Sequence, residues 1–280
     1  MTVAVPTSLD EALAQLAADH SLEPLAGGTD LMVEVNYGHR RPAGVLSLRR
    51  VPELKGWHQN DDGSIHLGAG LTYTEMTAEP LAGLLPALAQ AARTVGSPQI
   101  RNTGTIGGNL ATASPAGDTL PVLAVLDATI DVASAAGTRT VGLNELVTGV
   151  KRTTLEPGEL VTGVTVRPTE GGQDFSKVGT RNAMVISVVT CALAVDRAAR
   201  QVRCSFGAVS PAPMRCTDAE AWIAERIDWE TGRVDDPRSY ETFGTMCAEA
   251  ATPIDDHRST ADYRRHACGV LARRALLRLA

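Results

Sequence analysis

One glycine-rich segment constrains what this sequence can fold into more than any other feature. Residues 102–118 (NTGTIGGNLATASPAGD) place four glycines, four hydroxyl residues and one carboxylate within seventeen positions. Because glycine lacks a Cβ atom, such a segment adopts positive φ at low cost and lets a bulky anion approach the main-chain N–H groups. The segment therefore predicts a loop that presents its backbone to a ligand, with Asp118 as an acceptor for a sugar hydroxyl.

An earlier segment repeats this chemistry. Residues 25–31 (LAGGTDL) again join a glycine pair, a hydroxyl and an acid to apolar residues. A helix is predicted to open at Asp30, which would place the Gly28 and Thr29 amides at a helix start, where phosphate binds well. Taken alone, the glycine pair is better interpreted as a tight turn. Together, the two segments predict a ligand with two halves.

Composition and charge narrow the class of protein. The chain has 280 residues, of which 44% are hydrophobic, so it can bury the core of two or three compact units. A net charge of −6 argues against nucleic acid or an anionic membrane as the main partner. No apolar run approaches ~20 residues, and the N-terminus lacks the pattern of a secretion signal, which predicts a cytoplasmic protein without a membrane span. Arg101 is the only basic residue between Arg93 and Arg139, so backbone amides would hold a diphosphate.

The sequence offers no catalytic residue and no metal ligand set. The five cysteines are spaced too widely for a cluster motif and are predicted to be reduced, buried thiols, while the six histidines are isolated. The cysteines are Cys191, Cys204, Cys216, Cys247 and Cys268. This pattern indicates chemistry carried by a cofactor, for which the protein supplies position and electrostatics.

Periodicity and turn residues predict a mixed α+β chain. Helices are expected at about 8–18, from Tyr73 onward, and at about 86–95, 120–126, 218–226, 240–251 and 260–279. Strands are expected at about 23–25, 45–48, 64–69, 128–132, 138–141, 159–166, 185–195 and 201–209. The segment RPTEGG at 167–172 predicts a domain boundary at about 168–173. The last helix, with Ser259 as its expected N-cap, carries five arginines, which either form a solvated face or face an acidic partner.

The two motifs Ala26–Asp30 (AGGTD) and Thr105–Asn109 (TIGGN) resemble the paired FAD-binding signature of the flavoprotein (medium) subunit of molybdenum hydroxylases. This is the family of xanthine dehydrogenase and carbon monoxide dehydrogenase. The segments GSPQIRN, SPAGD, DYRR and RRAL at 96–102, 114–118, 262–265 and 273–276 extend the resemblance over nearly the whole chain. It implies an α+β fold with a two-lobed FAD-binding domain of the vanillyl-alcohol-oxidase (PCMH) type. That domain would span 1–170, with lobes at about 1–55 and 56–170, and a smaller α+β C-terminal domain would span 171–280.

The resemblance also implies the cofactor site. FAD would be bound non-covalently, since neither motif contains histidine or cysteine, and the C-terminal domain would close over it through Lys177. The alternative for Lys177 is an exposed lysine at a strand end. The residues assigned to FAD are Pro24, Leu25, Ala26, Gly27, Gly28, Thr29, Asp30, Leu31, Thr105, Ile106, Gly107, Gly108, Asn109, Asp118, Val161 and Lys177.

The implied role is electron transfer within a three-subunit complex. Electrons would arrive from iron–sulfur clusters on a small subunit, pass through FAD and leave to a terminal acceptor, while molybdopterin would belong to a large subunit. Segment 180–186 (TRNAMVI) lacks the acid that NAD-reducing relatives place beside the flavin, which makes NAD doubtful as the acceptor. Two alternatives stay open, a free-standing FAD-dependent oxidase or reductase, and a binding or assembly module without redox work.

Overall fold

The first part of the chain is a small sheet flanked by two helices. The computed structural model describes residues 2–234 and 236–279. Its first elements are β1 (Thr2–Ala4), α1 (Leu9–Ala18), β2 (Leu22–Leu25), α2 (Leu31–Asn36) and β3 (Gly44–Ser47). The strands β1 and β2 pair in parallel with β3 on its two sides. The Ser8 hydroxyl accepts a hydrogen bond from the Glu11 amide and caps α1, so the predicted first helix is confirmed.

Two short 3₁₀ turns, Leu48–Arg50 and Pro52–Leu54, lead to a five-stranded antiparallel sheet. The strands in this region are β4 (Trp57–Gln59), β5 (Ile65–Gly68), β6 (Thr129–Ser134), β7 (Gly137–Gly142), β8 (Val147–Gly149), β9 (Arg152–Thr153) and β10 (Leu160–Val166). The sheet order is β4-β5-β10-β6-β7, while β8 and β9 form a separate hairpin. The strands predicted at 128–132, 138–141 and 159–166 are therefore confirmed as neighbours.

Seven short helices join these strands. They are α3 (Tyr73–Met76), α4 (Leu81–Leu84), α5 (Pro86–Thr94), α6 (Pro98–Arg101), α7 (Ile106–Thr112), α8 (Leu120–Val125) and α9 (Leu143–Leu146). All six residues of α8 are buried, as its apolar sequence predicts. The glycine-rich segment is not wholly a loop, because the Thr105 hydroxyl accepts from the Gly108 amide and starts α7.

The last part is a four-stranded antiparallel sheet covered by helices. Its elements are β11 (Gln173–Gly179), β12 (Ser187–Asp196), β13 (Gln201–Gly207), β14 (Met214–Arg215), α10 (Thr217–Ala224), β15 (Ile227–Asp228), β16 (Arg233–Val234), α11 (Arg238–Ala250) and α12 (Ala261–Leu279). The sheet order is β11-β12-β13-β14, with β15 and β16 as a separate pair. The Thr260 hydroxyl accepts from the Tyr263 amide, so the N-cap of α12 lies one residue after the predicted Ser259.

Two arginines of α12 form ion pairs with other parts of the chain. Arg264 is 1% exposed, donates to the Val188 and Ala208 carbonyls, and pairs with Asp256 at 2.8 Å. Arg278 likewise pairs with Asp174 of β11. The two predicted roles for the arginines of α12 were a solvated face and a face toward an acidic partner. Neither role fits Arg264 and Arg278, because these two hold the helix against the sheet.

Two hydrophobic clusters stabilise the fold. One gathers apolar side chains from α1 to β10 together with Phe175, Ala192 and Ala194 of the last sheet, and the other fills the space between that sheet and helices α10, α11 and α12. All five cysteines are free and buried, as predicted. Among the described residues, no helix is both long enough and apolar enough to cross a membrane. The α+β class is confirmed, while the division at 168–173 stays a prediction.

Candidate functional site

The first glycine motif forms a partly exposed loop between β2 and α2. Pro24 and Leu25 end β2, and Gly28 adopts a φ of 71°, which glycine reaches without strain. Within residues 2–234 and 236–279, no main-chain N–H of residues 26–31 donates a hydrogen bond. Successive free N–H groups around a residue of positive φ form a concave anion-binding surface. The loop therefore offers the donors that a diphosphate needs.

The second motif lies directly against this loop. A Cβ atom on Gly27 would fall 1.8 Å from the Thr103 carbonyl oxygen and 3.0 Å from the Gly104 Cα atom. The Thr112 hydroxyl also donates to the Asp30 carboxylate at 3.4 Å. Glycine at position 27 is thus required for the close approach of the two segments. The structure brings together the two motifs that the sequence separates.

The glycines of the second motif have an internal role. The amides of Ile106 and Gly107 donate to the Leu71 and Ala69 carbonyls at 3.0 and 2.8 Å. A Cβ atom on Gly107 would lie 2.6 Å from the Ala69 Cβ atom. Both glycines of α7 have ordinary negative φ, and the Gly108 amide donates a hydrogen bond to the Thr105 hydroxyl. The expectation that this pair offers free amides and positive φ to a ligand is therefore corrected.

The other predicted residues of the second motif are fixed by contacts within the chain. Ile106 is fully buried, so its side chain belongs to the core beneath the loop. The side-chain amide oxygen of Asn109 accepts from the Thr119 hydroxyl at 2.6 Å, which ties the middle of α7 to the start of α8. Val161 is 7% exposed and lies at a bulge in β10, beside that core.

Asp118 and Lys177 form a buried ion pair at 2.6 Å, and their side chains are only 6% and 8% exposed. Thr94 donates its hydroxyl to the same carboxylate oxygen as Lys177, at 3.2 Å, and Ser187 donates to the other at 2.5 Å. The Thr94 carbonyl accepts a second hydrogen bond from Lys177 at 3.2 Å. The alternative that Lys177 is an exposed lysine is therefore wrong, because its ammonium group is enclosed.

The sequence analysis did not predict three residues that lie in this region. Thr94 and Ser187 complete the Asp118 network, but Ser187 lies 69 residues from Asp118 and no local pattern connects them. Tyr73 is 6% exposed, and a Cβ atom on Gly104 would lie 2.7 Å from its ring. Burial raises the pKa of the Tyr73 phenol, and the Asp118 and Asp30 carboxylates raise it further. The phenol thus stays protonated between the two motifs.

Two family profiles together match nearly the whole chain. The profile described as the FAD binding domain in molybdopterin dehydrogenase matches residues 1–169. The profile described as the CO dehydrogenase flavoprotein C-terminal domain matches residues 175–279. The free amides of the loop at 26–31 fit a diphosphate cofactor of this kind.

Known proteins similar to this chain bear the same description. The nicotinate dehydrogenase FAD-subunit of Eubacterium barkeri is 38% identical over 198 residues, which are 68% of this chain and 67% of that one. The xanthine dehydrogenase FAD-binding subunit of Escherichia coli O157:H7 is 31% identical over 220 residues, covering 76% and 75% of the two chains. The glyceraldehyde dehydrogenase medium chain of Sulfolobus acidocaldarius is 29% identical over 277 residues, covering 98% and 96%.

Solved structures agree with the sequence comparisons. A chain of quinoline 2-oxidoreductase from Pseudomonas putida 86 superposes with a TM-score of 0.90 at 26% identity, over 99% of this chain and 96% of that one. A chain of the Cu,Mo-CO dehydrogenase superposes with a TM-score of 0.89 at 26% identity, with the same coverage. The predicted α+β fold, an FAD-binding region followed by a C-terminal flavoprotein domain, is confirmed. The chain belongs to the FAD-binding medium subunits of the molybdenum hydroxylases.

Proposed function

We propose that this chain is the electron-transfer subunit of a three-subunit molybdenum hydroxylase. Its partners are an iron–sulfur small subunit and a molybdopterin large subunit, and the complex works in the cytoplasm. When bound, FAD supplies the redox chemistry, and the protein supplies binding and electrostatics. The run of unpaired amides at 26–31, held against the second motif by Gly27, carries this proposal.

The predicted site residues divide into three roles. Residues 24–31 form the loop that holds the diphosphate through the main-chain N–H groups of residues 26–31, none of which donates to another group of the described chain. Residues 105–109 position that loop, because Gly104 and Thr103 lie under Gly27 and α7 is bonded to the end of β5. Val161 and Asp118 form the wall on which the C-terminal domain closes, and Lys177 of that domain makes the contact by pairing with Asp118. This division of roles supports the predicted domain boundary between β10 and β11, near 168–173.

Cofactor retention by the isolated chain tests the proposal. Purified alone, the protein is expected to carry one FAD, releasable by acid because residues 24–31 and 105–109 contain no histidine or cysteine. It is not expected to hydroxylate purines, aldehydes or N-heterocycles until the small and large subunits are added. A colourless chain that takes up no FAD would contradict the proposal. Hydroxylation by the chain alone would instead favour a free-standing flavoprotein.

The terminal acceptor is proposed to be oxygen, a quinone or another carrier in preference to NAD. The segment 180–186 contains one arginine and no acid, and Met184 and Ile186 are 55% and 59% exposed. These residues offer few polar contacts to a nicotinamide. The absence of nearby negative charge also favours the anionic form of reduced flavin, which raises its potential.

A further inference from the structure

Tyr73, the first residue of α3, lies against the contact between the two glycine motifs. Its amide donates to the Gly104 carbonyl at 3.1 Å, and the neighbouring Thr72 forms an antiparallel bridge with Thr105. A Cβ atom on Gly104 would lie 2.7 and 3.0 Å from two carbons of the Tyr73 ring. The Gly104 Cα atom lies 3.0 Å from the place of a Cβ atom on Gly27. One stretch of backbone therefore separates the Tyr73 ring from the loop at 26–31.

The Tyr73 hydroxyl is a donor without a partner in the described chain. The residue is only 6% exposed, and buried tyrosine hydroxyls usually have a hydrogen-bond partner. The neighbouring hydroxyls of Thr72 and Thr74 donate to Glu75 and Asn102 at 2.6 and 2.7 Å, whereas that of Tyr73 makes no such bond. It is also not among the fully enclosed side-chain oxygens that lack a partner. Its oxygen therefore keeps contact with open space that a ligand can fill.

Two carboxylates lie near this hydroxyl, but neither accepts a hydrogen bond from it. Asp118 accepts from three other side chains, and Asp30 accepts from Thr112 at 3.4 Å. Burial raises the pKa of the Tyr73 phenol, and the charges of Asp118 and Asp30 raise it further. The phenol is therefore a neutral O–H donor at neutral pH, in a place where an additional carboxylate would repel an anion.

The neighbouring loop makes a phosphate oxygen the best acceptor for this donor. Residues 26–31 present free main-chain N–H groups, and Gly27 of that loop contacts the same glycine that packs on the Tyr73 ring. Hydrogen bonds to charged oxygens are roughly twice as strong as those between neutral groups. Amides from one motif and a phenol packed against the other can thus bind one anion together.

We propose that Tyr73 is a cofactor-binding residue whose hydroxyl donates a hydrogen bond to the diphosphate of FAD. The inference rests on the proposed function, because the diphosphate is the group that the loop at 26–31 holds there. It gives α3 a part in a site whose other residues lie in or beside the two glycine motifs, in β10 and in β11. The alternative is that Tyr73 only fills the core beneath the motifs.

Tyr73→Phe tests the inference, because it removes the hydroxyl and keeps the ring that packs on Gly104. The affinity of the flavin-free chain for FAD, measured by fluorescence titration, is expected to fall about tenfold or more, the loss of one hydrogen bond to a charged oxygen. Tyr263→Phe is the matched control, since it removes the hydroxyl of a tyrosine that is 49% exposed on α12. Its affinity is expected to stay within about twofold of the unmodified chain.

The stability of the flavin-free chain separates binding from packing. Because the Tyr73 hydroxyl has no partner in the chain, its removal is expected to leave the thermal unfolding temperature of flavin-free Tyr73→Phe unchanged. A hydroxyl with a structural role would instead lower that temperature together with the affinity.

Phosphorus NMR of bound FAD shows which part of the cofactor the hydroxyl contacts. The diphosphate resonances are expected to move in Tyr73→Phe and to stay in place in Tyr263→Phe. The visible absorbance spectrum of the bound flavin is expected to be the same in both variants and in the unmodified chain, because the hydroxyl does not touch the flavin ring.

Four outcomes would overturn the inference. The first is equal FAD affinity in Tyr73→Phe and the unmodified chain, and the second is an equal loss in Tyr263→Phe. The third is a loss of affinity matched by a lower unfolding temperature of the flavin-free variant. The fourth is weaker binding with unmoved phosphorus resonances, because the hydroxyl would then contact another part of FAD. An unmodified chain that takes up no FAD contradicts the proposed function as well, whereas these four outcomes contradict only the role of Tyr73.

Discussion

Lys177 and Asp118, which lie 59 residues apart in the sequence, form a buried ion pair with an Nζ–Oδ2 distance of 2.6 Å. The pair joins the end of the glycine-rich segment 102–118 to β11, the first strand of the last sheet. Ser187 donates to the other carboxylate oxygen, and the Thr94 hydroxyl lies 3.2 Å from the oxygen that Lys177 contacts. A buried pair of this kind costs desolvation free energy and becomes unfavourable when one partner is removed. Its value therefore lies in fixing how the two parts meet at the flavin site.

Replacing Lys177 by methionine tests this role. The change leaves the Asp118 carboxylate buried without its counter-charge and is expected to lower the free energy of unfolding by about 3–5 kcal/mol. The FAD content of the purified chain should fall with it. Urea unfolding and flavin absorbance measure the two effects.

The double variant Lys177→Met/Asp118→Asn should recover part of the stability, because no unpaired charge remains. Lys151→Met is the matched control, since Lys151 pairs with Glu34 at the same 2.6 Å but its side chain is 58% exposed. Its cost should stay within about 1 kcal/mol. An equal cost for Lys177→Met and Lys151→Met would show that the buried pair has no special role.

Gly27→Ala tests the contact between the two motifs. The added methyl group would meet the Thr103 carbonyl oxygen at 1.8 Å, so the loop at 26–31 must move away from the second motif. Because that loop carries the free amides, FAD affinity is expected to fall by about a hundredfold, the loss of one or two hydrogen bonds to charged oxygens. Fluorescence titration of the flavin-free chain with FAD measures the change.

Gly149→Ala is the control for this substitution. Its nearest neighbour would be the Arg152 side chain at 4.0 Å, and its φ is not positive. We expect no change in FAD affinity. Retention of full affinity by Gly27→Ala would mean that the two motifs need not touch for the cofactor to bind.

Arg264→Met tests the contact between α12 and the last sheet. The change removes two hydrogen bonds to carbonyls and leaves Asp256, whose side chain is 14% exposed, without one cation. The expected loss is about 3–5 kcal/mol at pH 7. Partial burial acts to raise the pKa of Asp256, but hydrogen bonds from Arg258 and Ser259 and the charge of Arg264 together hold it well below its usual value.

The sign of the pH dependence follows from that lowered pKa. A carboxyl whose pKa is lower in the folded state stabilises the protein above its unfolded pKa of about 3.9, and that contribution fades as pH falls further. The difference in free energy of unfolding between the unmodified chain and Arg264→Met should therefore be constant from neutral pH down to about 5 and become smaller below about 4. Thermal unfolding at a series of pH values measures this difference. A difference that increases in acid would contradict this assignment of Asp256.

Local signals in the sequence predicted most of the secondary structure. Ser8 caps α1 and Thr72 forms a capping box with Glu75, because each signal acts over three residues and needs no tertiary context. The wholly apolar run of α8 was likewise predicted as a buried helix. Boundaries shifted by about two residues, as at β12, which starts at Ser187.

The candidate site was less accessible to sequence reasoning, because its contacts join distant residues. The glycine motif at 107–108 was interpreted as a source of free amides, but its requirement for glycine arises from Ala69, which no local pattern indicates. The enclosure of Lys177 depends on Asp118, Thr94 and Ser187.

The acceptor preference is the last prediction. Segment 180–186 contains no carboxylate, because residues 183–185 are Ala-Met-Val and Arg181 donates to the Ala183 and Met184 carbonyls. Without a negative charge in this segment, we expect the anionic reduced flavin to be stabilised and its potential to lie above the range suited to NAD reduction. Stopped-flow reoxidation of the dithionite-reduced chain should therefore be faster with oxygen or a soluble quinone than with excess NAD. Ala183→Asp is expected to narrow the difference, with Ala183→Asn as its uncharged control. Faster reoxidation by NAD than by both other oxidants would contradict the prediction.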